Sequence, residues 1–176
     1  MPAESHHVSP TEDCPRPDLW GARDAAASED EVGDFLYGLV RVLKPGVVVE
    51  TGCYLGDTTL KINKALAENE YGVLYACDIQ EKYVNFVRER LGQALRVIVT
   101  RQEGISLVKS LPVVHLAFID SGGDRLEEAK ALNLSRHGIL VLHDSRHESV
   151  KDFGKQLGMV EVFIPTPRGI SIFKKA

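Results

Sequence analysis

Between Val47 and Thr59 the chain reads Val-Val-Val-Glu-Thr-Gly-Cys-Tyr-Leu-Gly-Asp-Thr-Thr, and few backbones accept that order. Three β-branched residues favour an extended strand, and the acid Glu50 closes it. Gly52 and Gly56 mark a tight turn, and a helix-like segment opens at Thr58. A strand, a glycine turn and a helix start, in that sequence, build a ligand crevice at the carboxyl end of a parallel strand. Glycine is used there because the turn needs a positive φ, or because a ligand must approach backbone that carries no Cβ. On the second view, a side chain at position 52 would project at the ligand, and its cost would fall on binding rather than folding. A phosphate-cradling loop would end in Gly-Lys-Ser/Thr, whereas Gly56-Asp57-Thr58 puts an acid where the lysine belongs. A dinucleotide fingerprint needs a second glycine two residues after the first, and Tyr54 fills that place. The acid-rich turn suits a ligand with a cationic head or hydroxyls rather than one rich in phosphate. The competing reading is a turn that only connects a strand to a helix.

The rest of the chain repeats the same unit. Ser28-Glu29-Asp30-Glu31 opens a helix, with Ser28 as cap candidate; Val32, Phe35, Leu36, Leu39, Val40 and Leu43 recur at helical spacing, and Pro45-Gly46 stops it. Strands are then expected at Val47–Glu50, Val73–Cys77, Leu95–Val99, Val113–Ile119 and Ile139–His143. Helices are expected at Thr58–Glu68, Glu81–Leu91, Gly104–Ser110, Arg125–Leu134 and Ser149–Leu157. The strands are continuous apolar runs, as strands covered on both faces are. Alternating units with right-handed crossovers give an α/β, doubly wound, mostly parallel sheet between helix layers. At the end, Val160–Ile164 and Ile170–Phe173 flank the turn Pro165-Thr166-Pro167-Arg168-Gly169 and read as a β-hairpin.

With 176 residues the chain suits one domain: an unstructured leader over 1–27, rich in proline, histidine and acids, and a single domain over 28–176. A net charge of −4 without a basic block gives no reason to expect nucleic acid. No apolar run approaches the ~20 residues that span a bilayer, and the amino end lacks the form of a signal peptide. Cys14, Cys53 and Cys77 are odd in number and lack zinc spacing, so a cytoplasmic protein with reduced thiols is expected.

The run Glu50-Thr51-Gly52-Cys53-Tyr54-Leu55-Gly56 resembles motif I of the class I S-adenosylmethionine (SAM)-dependent methyltransferases, most closely the small-molecule O-methyltransferases of the catechol and caffeoyl-CoA kind. The resemblance runs from about Glu29 to the carboxyl end. It implies a Rossmann-like seven-stranded sheet closed by the antiparallel hairpin, and SAM as cofactor. It places Glu50, Gly52, Tyr54, Gly56 and Thr58 about the cofactor, with the glycine loop under its methionine portion. Asp78, at the end of the second strand, has two oxygens able to accept from both hydroxyls of a ribose; the resemblance gives it that role, with Ile79 beside it, while capping of the following helix is the alternative. Ile105 and Ser106 fall where the family contacts adenine, or belong to a solvated loop.

Asp120 and Asp144 follow the fourth and fifth strands. Neighbouring strands lie about 4.8 Å apart, so both acids can converge on one hard cation such as Mg²⁺, which would orient and acidify an acceptor hydroxyl. The catechol-type enzymes use this arrangement, so Asp120 and Asp144 resemble two of their metal ligands. Ser145 stands where the family has an asparagine ligand, and Ser121-Gly122-Gly123-Asp124 lacks the family's lysine. Without a metal, Asp120 contacts the cofactor and Asp144 caps a turn. His143 is the candidate base, its ordinary pKa lying near neutrality; a backbone-bonded, half-buried histidine is the other reading. The short loops offer no lid over a small-molecule acceptor, and a second copy in a homodimer is the expected closure. The function expected is O-methylation of a small molecule, catalysed by Asp120, Asp144 and a metal or by His143. The alternatives are a silent cofactor-binding or scaffolding subunit, or another nucleotide- or sugar-modifying enzyme on this fold.

Overall fold

The computed structural model describes residues 8–147 and 151–176, together with a two-residue strand at Glu4–Ser5 that pairs with Gly21–Ala22. The main sheet is built from β1 (Val47–Thr51), β2 (Val73–Asp78), β3 (Val97–Arg101), β4 (Val114–Ile119), β5 (Leu134–His143), β6 (Met159–Ile164) and β7 (Ile170–Lys175). Between them run α1 (Asp30–Leu43), which precedes β1, α2 (Asp57–Asn69), α3 (Glu81–Leu91), α4 (Gly104–Ser110), α5 (Arg125–Ala131) and α6 (Phe153–Leu157). The strand order is β3-β2-β1-β4-β5-β7-β6, with β7 antiparallel to both β5 and β6 and every other pairing parallel. Of the expected helix over Ser149–Leu157, Ser149 and Val150 lie outside the described residues.

Alternation along each strand sends successive side chains to opposite faces. Val48, Leu74, Leu116, Phe118 and Val141 meet Leu36 and Val40 of α1, Ile62 and Leu66 of α2, and Val84 and Val87 of α3. Val49, Ala117, Ile119, Leu140 and Leu142 meet Leu107 and Val108 of α4, Ala129 of α5 and Phe153 of α6. Both faces are therefore covered, which is why the strands read as unbroken apolar runs.

Register aligns the strand ends. Thr51 sits opposite Cys77 on one side and Ile119 on the other, and Ile119 sits opposite Leu142. Gly52, Asp78, Asp120 and His143 consequently lie in one row along the carboxyl edge. The order reverses between β1 and β4, where the chain departs to opposite sides, and a crevice opens at such a switch point.

Three expectations change. Residues 8–27 are not an unstructured leader: Cys14, Ala22 and Ala27 are buried, Pro17–Leu19 forms a 3₁₀ turn, and Arg23 pairs with Asp57 at the start of α2. The polar composition of that segment concealed a few small apolar anchors and one ion pair. The third parallel strand starts at Val97, because Leu95 is 96% exposed. α5 ends at Ala131, and Leu134 instead pairs with Val114 and is buried, so that β5 begins before Gly138.

Candidate active site

The row of strand ends forms the floor of a cavity of about 750 Å³, lined among others by Gly52, Tyr54, Gly56, Thr58, Asp78, Ile79, Ile105 and Asp120. Ala26–Asp30 form another part of the wall. The volume lies in the range usual for small-molecule sites.

The glycine turn has φ values of +82° at both Gly52 and Gly56. A Cβ on Gly52 would lie 2.5 Å from the Asp120 carbonyl oxygen. The constraint is therefore backbone packing between the ends of β1 and β4, not room for a ligand, and substitution there must cost folding as well as binding. A Cβ on Gly56 would meet Val87 of α3 at 2.8 Å. Glu50 does not reach the cavity. It is fully buried and accepts hydrogen bonds from the hydroxyls of Thr58 and, at 2.6 Å, Thr59, so it anchors the first turn of α2. Burial pushes its carboxyl up, the two threonine bonds pull it back, and the result is about 7.

Asp78 is held by the turn it faces. Its Oδ2 accepts from the Tyr54 N–H at 3.1 Å and its Oδ1 from the Gln80 N–H at 2.8 Å. The side chain thus fixes the approach to α3 without capping it, since the N-cap is Gln80, and its remaining lone pairs lie on the cavity wall. Tyr54, itself at φ 43°, packs edge-on against Tyr83 and bonds Asp24 through its hydroxyl at 3.2 Å. Ile79 is 63% exposed in the cavity, an apolar face open to a ring. Ser106 is exposed and does not line the cavity; Ile105 does. Cys53 and Cys77 also line it, and burial pushes the Cys77 thiol up to about 12, too high for a nucleophile.

His143 departs furthest from expectation. It is completely buried and absent from the cavity wall. Its Nε2 lies 2.6 Å from Glu29 Oε2 and its Nδ1 3.1 Å from Asp120 Oδ1. Burial alone would lower its pKa, but Asp120 and Glu29 outweigh it and raise the imidazole to about 10. The same contact, against the upward push of burial, holds Glu29 at about 2. With both ring nitrogens engaged by carboxylates and the ring off the cavity wall, His143 is not placed to take a proton from an acceptor in the cavity. Ser28, expected to cap α1, instead donates its hydroxyl to Asp120 Oδ2 at 2.7 Å, and Glu29 takes the N-cap position with no capping side-chain bond.

Asp120, His143 and Asp144 could offer ligand atoms that lie within 4.8 Å of one another. The donor set nevertheless does not fit a divalent cation. Arg168 donates from Nε and Nη2 to the two oxygens of Asp144, the second at 2.8 Å. Arg125 Nη2 lies 3.1 Å from Asp144 and 3.4 Å from Asp120. Ser145 points away, donating to the Leu142 carbonyl at 2.9 Å. Both Asp144 oxygens and Asp120 Oδ1 already face cationic side chains, Asp120 Oδ2 takes the Ser28 hydroxyl, and Asp144 is not on the cavity wall. Glu29, Arg125 and Arg168 were missed from sequence; the one local signal was an arginine set between Pro167 and Gly169 in a turn at the carboxyl edge.

A buried carboxylate bonded to two hydroxyls completes the floor. Glu128 of α5 is 2% exposed and accepts from the hydroxyls of Thr51 and Ser121, each at 2.7 Å. It ties α5 to the ends of β1 and β4.

Comparison with known proteins bears on the fold and the family. A family model described as a methyltransferase domain matches residues 49–145, more than half of the chain. Among solved structures, the SAH-bound methyltransferase PaMTH1 of Podospora anserina superposes with a TM-score of 0.76 at 17% identity, over 86% of this chain and 80% of that one. The O-methyltransferase TomG of Streptomyces achromogenes, involved in tomaymycin synthesis and in complex with SAM, gives 0.69 at 14% identity, over 86% and 83%. An O-methyltransferase of Bacillus cereus in complex with SAH gives 0.67 at 14% identity, over 86% and 84%. None of the curated protein sequences compared with the chain matches it.

Proposed function

The chain belongs to the methyltransferase-domain family, and from that premise we propose that it draws a methyl group from SAM and delivers it to a hydroxyl of a small molecule. The observation that carries the reading is the cavity at the switch point, with the glycine turn at one end and the Asp78 carboxylate facing it. Asp78 would accept from the ribose hydroxyls, Ile79 and Ile105 would pack against the adenine, and the Gly52 turn would hold the methionine portion, with SAM supplying an electrophilic methyl group. The O-methyltransferase neighbours support oxygen as the acceptor atom.

The sulfonium already makes the methyl electrophilic. The acceptor oxygen attacks that carbon in line, the carbon–sulfur bond breaks, its electron pair stays on sulfur, and the acceptor's proton must leave. Holding the two reactants in line at ~3 Å can supply roughly 7–11 kcal/mol. Asp120 is the carboxylate of the strand-end row at the methyl end of the cavity, and the Ser28 hydroxyl on its Oδ2 marks how an acceptor hydroxyl would bond it. Asp120 Oδ1 lies 3.1 Å from His143 Nδ1 and 3.4 Å from Arg125 Nη2. No histidine among the described residues lines the cavity to act as a base, which favours an acidic hydroxyl as acceptor, a phenol with a pKa near 10 or below rather than an alcohol. No step passes through a metal.

Methyl-labelled SAM incubated with a panel of phenols, catechols and aliphatic alcohols tests this. Label is expected in phenolic or catecholic products, without added cation, and Asp120→Asn should lower kcat while leaving SAH affinity close to wild type. Binding of SAM without transfer to any acceptor would move the reading to a silent cofactor-binding subunit. A homodimer that closes the open side, and residence in the cytoplasm, belong to the same proposal; the three free thiols favour the second. Among the described residues no helix is long and apolar enough to cross a membrane.

A further inference from the structure

Six charged groups meet behind the methyl end of the cavity. Glu29, Asp120 and Asp144 supply three negative charges; His143, Arg125 and Arg168 supply three positive ones. The group is balanced, and its links close on themselves. Arg168 forks onto Asp144, donates from Nη1 to the Ala27 carbonyl at 2.9 Å and from its backbone N–H to Glu29 Oε1 at 3.0 Å. Glu29 passes to His143, His143 to Asp120, and Asp120 to Ser28. Ala27, Ser28 and Glu29 are the cavity wall.

We propose that the guanidinium groups of Arg125 and Arg168 occupy the place of a divalent cation between Asp120 and Asp144 and balance their charge, and that Arg168 is a positioning residue which ties the wall segment Ala27–Glu29 to the strand ends. A planar fork matches a carboxylate through two parallel N–H bonds and keeps its charge at every working pH. Arg125 Nη2 lies within reach of both aspartates. Mg²⁺ demands a near-octahedral set of oxygens; to enter it would have to break the guanidinium contacts and leave two half-buried cations without their carboxylate partners. Asp144 sits at φ 56°, a conformation uncommon for a side-chain-bearing residue, in the position where Arg168 reaches both its oxygens. The positioning role rests on the methyltransferase reading; the charge replacement does not, and is measured without cofactor.

The test is Mn²⁺ binding by calorimetry on wild type, Arg168→Ala, Arg168→Lys and Asp144→Asn, each without SAM, followed by melting temperatures and steady-state kinetics. Wild type is expected to bind no Mn²⁺ stoichiometrically and to turn over unchanged in EDTA. Arg168→Ala should melt lower by ~10 °C, gain Mn²⁺ binding at the exposed aspartates, and raise KM for its substrates more than it lowers kcat. Arg168→Lys should recover part of the melting temperature and bind no Mn²⁺. One Mn²⁺ per wild-type chain, lost in Asp144→Asn, would overturn the proposal. So would a folded Arg168→Ala with wild-type melting, KM and metal response. If Arg168→Ala does not fold, the wild-type titration and the EDTA assay decide between the same two outcomes.

Discussion

The Asp78 carboxylate accepts one backbone N–H from the glycine turn and one from its own turn, and still has lone pairs that a ligand could use. Asp78→Ala should therefore weaken SAH binding by about 1.5–3 kcal/mol, the range for hydrogen bonds to a charged group, as read by titration calorimetry; unchanged affinity would remove the ribose role. Buried ionisable groups make pH predictions of opposite sign. The His143 imidazole is raised from 6.5 to about 10, so its contribution to stability is complete below pH 6.5 and lost as pH rises through about 10. Glu29, lowered from 4.5 to about 2, contributes fully above pH 4.5 and ceases to as pH falls through about 2. A melting curve measured against pH should fall on the alkaline side near 10, and His143→Gln should flatten that limb. Glu50 works the other way. With its pKa raised from 4.5 to about 7, the native state favours the protonated acid, and stability declines as pH climbs between those values. Glu50→Gln should lose that decline and, at pH 8, melt no lower than wild type; a large loss would show that the two threonine bonds outweigh the desolvation.

At the scale of elements, the alternating strands and helices were legible because each strand is buried on both faces and each helix on one, and burial writes itself into the sequence as apolar runs and helical spacing. Asp78 and Asp120 were legible as strand-end acids for the same reason: locating the strand locates its end. Register was not legible. It brings Asp120 beside His143, yet nothing local in the sequence says that Glu29, from a helix start 114 residues away, closes over the imidazole. An isolated strand-end histidine invites the role of base, and only the three-dimensional surroundings show it as a trapped cation. Gly52 was legible as a required glycine, but the reason lay in the neighbouring strand. Gly52→Val should accordingly lower the melting temperature as well as cofactor affinity, because the added atoms meet the Asp120 backbone. A variant that melts like wild type while failing to bind would restore the view that a ligand alone needs the space.

Across the whole molecule, the sheet order β3-β2-β1-β4-β5-β7-β6 sets a crevice where β1 and β4 part, and the segment before α1 folds back to wall it. Arg23 on Asp57, Tyr54 on Asp24 and Arg168 on Ala27 pin that segment to α2, the glycine turn and the terminal hairpin. The Asp120 end of the cavity is thereby built from both the segment before α1 and the terminal hairpin, and the carboxylates behind it pair with Arg125, Arg168 and His143. The central claim is that this crevice holds SAM. Calorimetric titration of the full chain with SAM, SAH, NAD and a nucleoside triphosphate tests it most directly. The account predicts one saturable site per chain for SAM and for SAH, with no heat from the other two; no heat from either SAM or SAH, together with saturable binding of NAD or the triphosphate, would contradict it.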